Sequence, residues 1–214
     1  MKTEIETDVL IRNMAKQAGA TGRRVDRFGP TLALAASVSL AVAVGLVLAL
    51  VGLRPSLLAL PPLTPFAYKL ASCLAIAGGA LLLVHRLALP GRGRPSLTLL
   101  LPGMLVLAFR AVSDSSGYSI LGNSDISVQA CILTIVVASL PALALTLAVM
   151  RRGAPVRPAW AGAAAGLLAG SLGATAYTIA CKNDGGLFVA TWYPAAIVIV
   201  SAVGAAVGRR MLAW

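Results

Sequence analysis

The chain has 214 residues, 58% of them apolar, 12% charged and 5% aromatic. Soluble domains are about 45–50% apolar and about 25% charged, so a water-soluble globular fold is excluded. Lys and Arg number 18 against 7 Asp and Glu, a net +11, which points to a bilayer before nucleic acid.

In chain order, residues 1–30 form a polar tail. Thr3 and Glu6 give a capping-box pattern, Glu4, Glu6 and Asp8 fill the first turns, and Gly19 and Gly22 would end the helix. Between them Leu10, Ile11, Met14, Ala15 and Ala18 share one stripe at 100° per residue. So short a helix is marginal alone. Its stripe must lie on lipid, pack on the rest of the chain, or dock in a partner's groove. A lipid-lying helix usually has a cationic polar face, so the acidic start moves the balance toward a basic protein partner, level with a lipid surface. Arg23, Arg24 and Arg27 follow and suit anionic headgroups.

Six apolar runs approach the roughly 20 residues a membrane helix needs: 31–53, 67–84, 97–112, 130–150, 159–180 and 188–208. The second starts with Lys69, whose stem can snorkel. The third is short and carries Arg110 near its end. Residues 209–214 form the C-terminus. The expected fold is an all-α integral membrane protein, a six-transmembrane-helix bundle with a short cytoplasmic N-terminal helix. About 30 polar residues precede the first run, so it is expected to be an uncleaved anchor.

Orientation follows from the basic loops. Lys2, Arg12, Lys16, Arg23, Arg24 and Arg27, then Arg86, Arg92 and Arg94, then Arg151, Arg152 and Arg157, then Arg209 and Arg210 all fall on one side. That side is expected to be cytoplasmic, with both termini. Arg54, Lys69, Arg110 and Lys182 lie opposite, with Asp114, Asp125 and Asp184. The basic residues mark topology, and no direct nucleic-acid contact is expected. Gly162, Gly166 and Gly170 recur every four residues in the fifth run, and Gly204 and Gly208 repeat the spacing in the sixth. Small residues so spaced let helix backbones approach, within the chain first and in a homodimer second. Pro102, Pro141 and Pro194 are expected to kink their helices.

The span interiors hold no carboxylate, where a transporter keeps ionisable groups. His85 is the only His, so no Ser/His/Asp set exists, and there is no phosphate loop or dinucleotide fingerprint. No enzyme and no cofactor is expected. Cys131 opens the fourth span and Cys181 closes the fifth, at the same non-cytoplasmic face. The short loop between these spans makes them antiparallel neighbours, so the two thiols are expected near each other in an oxidising compartment. A helix N-terminus at Cys131 and Lys182 beside Cys181 favour thiolates. Cys73 reads as an apolar filler. Sensing or disulfide chemistry at Cys131 and Cys181 stands beside plain packing. A bound metal would need ligands beyond these two, such as Asp184 or Asp125.

Three segments resemble the NrsF-type membrane anti-sigma factors of Gram-negative bacteria: Cys131 through RRGAPVRPAWAGAAAGLLAG, AYTIACKNDGGLFVATWY, and the tail DVLIRNMA. Cys181, Asp184, Phe188, Trp192 and Tyr193 fit the family's C-x-x-D…F-V-A-x-W-Y pattern. Lys182-Asn183 departs from the Pro-Glu that many members carry. The resemblance covers most of the chain. It implies an inner-membrane anti-sigma factor whose tail holds an extracytoplasmic-function (ECF) sigma factor through Asp8, Leu10, Ile11 and Met14. It further implies that a thiophilic metal or an oxidant reacts at Cys131 and Cys181, transiently, and releases the sigma factor. The alternative is a small multi-pass transporter for a metal or drug. A membrane thiol oxidoreductase is a third reading, against which the missing C-x-x-C counts.

Overall fold

Apolar runs in this chain form helices, which satisfy their backbone groups internally, as hydrocarbon requires. The computed structural model describes residues 2–20, 28–54, 65–89, 96–114, 117, 119–122 and 128–213, and of the first helix the side chains of residues 7–16. Among the described residues there is no strand. The elements are α1 (Lys2–Ala20), α2 (Phe28–Leu50), α3 (Pro65–Ala88), a 3-10 turn (Leu97–Leu100) running into α4 (Leu101–Val112), α5 (Val128–Met150), α6 (Pro158–Tyr177) and α7 (Gly186–Met211). The side chains of Thr3 and Glu6, and residues Gly22, Arg23, Arg24, Arg27, Arg92, Arg94 and Asp125, lie outside this description.

Five of these helices are long and apolar enough to cross a membrane by length and composition: Phe28–Leu50, Phe66–Ala88, Val128–Met150, Pro158–Tyr177 and Gly186–Met211. The third expected span, 97–112, is a 3-10 turn followed by a 12-residue helix. Together they rise about 26 Å, short of a hydrocarbon core of about 30 Å. Other boundaries shift for local reasons. The described part of α2 begins at Phe28, and Pro30 lies in its first residues, where a missing N–H costs little. It stops at Leu50 because Gly52, at φ 84°, takes the left-handed cap conformation. α6 ends at Tyr177, and residues 178–180 form a turn, so Cys181 lies in the following loop rather than closing the helix. Pro102 sits in the first turn of α4 instead of its interior, whereas Pro141 and Pro194 are inside α5 and α7.

α6 is the buried axis. Fifteen of its 20 residues are buried, and α2, α3, α5 and α7 all pack on it. Its sequence explains this, since Ala and Gly leave room for neighbours on every side. The α6–α7 contact is the closest. A Cβ on Gly162 would fall 2.8 Å from the Gly208 Cα, and one on Gly166 2.6 Å from the Ser201 Cα. A Cβ on Gly170 would meet Ile197, and one on Gly204 would fall 2.9 Å from the Gly166 Cα. Ser201 adds a hydrogen bond, its hydroxyl donating to the Ala163 carbonyl at 2.9 Å. α2 packs differently, through one narrow stripe: Leu32, Ala35, Ser39, Ala43 and Val47 are buried. Its other faces are open, with Leu34, Val38, Val42 and Leu48 exposed.

Gly166→Val is therefore expected to destabilise the bundle by about 1–3 kcal/mol, as overpacking does. Gly45, with open space around it, should behave oppositely, Gly45→Ala gaining about 0.5–1 kcal/mol. Thermal unfolding of the detergent-solubilised chain measures both, and equal effects would refute the packing account.

Candidate functional site

The end of α2, the start of α3 and the loop between α6 and α7 converge at one end of the bundle. Gly52 turns the chain after α2 so that the Arg54 N–H reaches the Ile179 carbonyl at 3.3 Å. The Arg54 side chain then grips Asp184 with both teeth: Nη1 donates to Oδ1 at 2.8 Å and Nη2 to Oδ2 at 2.5 Å. Nη1 also donates to the Cys181 carbonyl at 3.2 Å. From α3, Lys69 Nζ donates to Asp184 Oδ1 at 2.8 Å and to the Asn183 carbonyl. One carboxylate thus serves two cations from two other elements. Lys69 is 3% exposed, so it is enclosed and paired rather than snorkelling.

These pairings set the charge states. Burial alone would push the Asp184 carboxyl up, but the hydrogen bond from Arg54 and the charge of Lys69 outweigh it and hold the group below its ordinary value. The Arg54 guanidinium is raised, chiefly by the same hydrogen bond to Asp184. A carboxyl lowered on folding stabilises the fold above its unfolded value of about 3.9 and loses that contribution as pH falls through the folded value. The Arg54–Asp184 pair is therefore an ion pair at neutral pH. Asp184, committed to two cations, is a poor metal ligand, contrary to its expected availability. Lys182, expected to assist Cys181, is exposed; the enclosed cations here are Arg54 and Lys69.

A second carboxylate anchors α7. Asp114 Oδ2 accepts from the Gly186 N–H at 2.5 Å and from the Leu187 N–H at 3.2 Å, two of the donors a helix start leaves open. Arg110 lies 3.5 Å from Asp114. Trp192 Nε1 donates to the Ile120 carbonyl at 2.8 Å, holding the 119–122 segment over the same end.

The thiols lie beneath this network. Cys131 is a full turn inside α5, not at its opening residue, and Cys181 is in the loop; both are 0% exposed. They share a buried cluster with Cys73, Tyr177, Phe188 and Tyr193. The Tyr177 and Tyr193 rings are 6.2 Å apart. All three cysteines are free thiols. Cys181 Sγ donates to the Asn183 carbonyl at 3.7 Å, the same oxygen that Lys69 holds. The buried Tyr193 hydroxyl has no hydrogen-bond partner among the described residues. No three His, Cys, Asp or Glu side chains among the described residues are placed to hold a metal ion. The surroundings are apolar and closed rather than the accessible, cationic setting of a reactive thiolate.

Cys73, 1% exposed, packs as an apolar filler, and it does so in the same cluster as the other two thiols. The sequence signalled the polar network: on the side poor in Lys and Arg, each cation in the bundle faces a carboxylate. Nothing in the spacing told which cation meets which. On α1, Asp8 is exposed, as are Leu10, Ile11 and Met14 at about 60%, and Val9, absent from the expected stripe, is exposed beside them. Every described side chain of α1, residues 7–16, is exposed.

Residues 15–214 match the NrsF family, described as "Negative regulator of sigma F". A protein of Azospira oryzae, "Probable anti-sigma-F factor NrsF", is 34% identical over 216 residues, taking in 98% of this chain and 100% of that one. "Anti-sigma-F factor NrsF" of Caulobacter vibrioides is 33% identical over 224 residues, with 98% and 100% covered. No solved structure matches. Asp8, Leu10, Ile11 and Met14 precede the stretch that matches the family.

The enclosure of the thiols has a direct readout. A bulky, charged maleimide is expected to leave Cys73, Cys131 and Cys181 unlabelled in the folded chain and to label all three in SDS, as counted by mass shift. Rapid labelling of Cys131 or Cys181 before denaturation would contradict the buried site.

Proposed function

The chain belongs to the NrsF family, a family of regulators rather than enzymes, and on that premise we propose that it is a membrane-embedded anti-sigma factor. In this reading it sequesters an ECF sigma factor at the bacterial inner membrane, and both termini are cytoplasmic, which requires the short Leu97–Val112 segment to cross a locally thinned bilayer as a sixth span. The observation that carries it is the likeness, along nearly the whole chain, to two proteins named anti-sigma-F factors.

The tail supplies the holding surface. Leu10, Ile11 and Met14, with Asp8 at their edge, stand uncovered on α1. An apolar stripe on a short helix is worth its exposure when it lies in a partner's groove. Burying three such side chains contributes several kcal/mol at about 25 cal/mol per Å², and Asp8 gives orientation against a basic rim. A sigma factor so held is kept from RNA polymerase.

The bundle supplies the sensor. Cys131 and Cys181 lie on different elements of one cluster, so reaction at the two sulfurs pulls on α5 and on the α6–α7 loop together. A thiophilic metal ion would replace their S–H bonds by S–metal bonds, the protons passing to water. The seat is enclosed, so the reagent enters only as the elements part. The reacted arrangement therefore differs from the resting one, which is what release requires. A hundredfold loss of tail affinity needs about 2.7 kcal/mol between the two arrangements. Transport is less well supported, because the charged groups of the described residues lie at the two ends of the bundle instead of lining a path through it.

Two experiments test this reading. Residues 1–30, fused to an unrelated membrane anchor, should recover an ECF sigma factor from gentle detergent, and Leu10→Asp with Met14→Asp should lower recovery at least tenfold. Recovery of no sigma factor sinks the holding role. Cys131→Ser with Cys181→Ser should keep repression of a sigma-dependent reporter but abolish its response to thiophilic metal or oxidant; an undiminished response would remove the thiols from the mechanism.

A further inference from the structure

The Arg54–Asp184 pair links the two halves of this mechanism, and it belongs to neither the thiols nor the tail. We propose that Asp184, gripped by Arg54, is the positioning contact through which the Cys181 loop sets the placement of α2 and hence of the tail. The proposal rests on the anti-sigma reading above and specifies how that site is regulated.

The geometry places every needed connection on one short segment. Arg54 holds the Cys181 carbonyl and both Asp184 oxygens. Lys69 holds Asp184 and the Asn183 carbonyl, and the Cys181 thiol donates to that same carbonyl. The sulfur proton is thus part of the bonding that shapes the loop. When a thiophilic metal ion takes the sulfur, an S–metal bond replaces the S–H bond, the proton passes to water, and the Asn183 carbonyl loses a donor. The loop must then rearrange around a larger group in a seat that is fully enclosed.

Arg54 is the element that carries this outward. It lies four residues beyond α2, and its backbone is itself tied to Ile179. α2 is a single helix of 23 residues, about 35 Å long, and the tail precedes its far end, Phe28, in the chain. Along its length it meets the bundle through one stripe, Phe28, Leu32, Ala35, Ser39, Ala43 and Val47, and at the Cys181 end its position is fixed by the ionic grip at Arg54. The grip is two-state in character. A bidentate Arg–carboxylate pair is geometrically specific, and drawing Asp184 away from this partly buried pair leaves the enclosed Arg54 without its counter-charge. Half-broken arrangements are therefore disfavoured, and a small displacement at Cys181 becomes a discrete shift of α2.

The test uses the full chain in its membrane with a sigma-dependent reporter, normalised to the amount of chain present. Deleting the chain must first raise the reporter; if it does not, the anti-sigma reading fails and not this one. Asp184→Asn is expected to raise the uninduced reporter at least fivefold per molecule of chain, and Asp184→Glu to restore most of the repression. Arg54→Lys keeps the charge but loses the second tooth, and should give a two- to fivefold rise. It also decides the matter where Asp184→Asn fails to accumulate. A merely structural role lowers the amount of chain but leaves repression per molecule unchanged. That pattern would overturn the proposal. So would wild-type repression and response in both Asp184→Asn and Arg54→Lys, or loss of both chains from the membrane.

Discussion

In hydrocarbon, apolar side chains gain little by leaving lipid for one another, so a bundle holds where helix backbones come close enough for dense van der Waals contact. α6 satisfies that constraint for the whole molecule. Gly162, Gly166 and Gly170 bring it against α7, and its alanines admit α2, α3 and α5 on the remaining sides. Because the axis is thin, the helices around it are near one another, and the ends of α2 and α3 fall within reach of the α6–α7 loop. The polar network at that end depends on this narrowness, since Arg54 and Lys69 could not share one carboxylate across a wider bundle.

The polar chemistry is segregated accordingly. Most buried hydroxyls along the helices return their hydrogen bonds to their own backbones, as Ser139 does to Ile135 and Thr175 to Ser171, and contribute little between helices. Apart from Ser201, whose hydroxyl bonds across to Ala163, the side chains that join separate elements gather at the Cys181 end: Arg54, Lys69 and Asp184 in one cluster, Asp114 and Arg110 in another. The three thiols sit just inside this layer. A chemical event there is felt by several elements at once, whereas the same event midway along α6 would meet only apolar packing.

Much of this was legible in the sequence, for identifiable reasons. Long apolar runs and the glycine spacing in the fifth run are local signals, and they located the helices and the face that meets α7. Ends were less legible. Gly52 ended α2 through a positive φ, and the turn at 178–180 put Cys181 in a loop, where apolar residues alone gave no sign of a break. The character of Lys69 was misjudged, because a lone cation near a helix end reads as snorkelling until its partner, 115 residues away, is known. The proximity of Cys131 and Cys181 could be argued from antiparallel neighbours. The arrival of Cys73 beside them could not, since it depends on α3 packing against α6.

The Arg54–Asp184 pair also fixes an order of assembly. Its partners are 130 residues apart in the chain, so at about 5–20 residues per second Arg54 waits on the order of ten seconds for its counter-charge to be made. Lys69 waits nearly as long. Until α6 and α7 enter, the first half of the bundle carries two cations with no Asp184 to receive them and lacks the axis on which its helices close. The α6–α7 hairpin, made after both cations, is thus the one that completes this network.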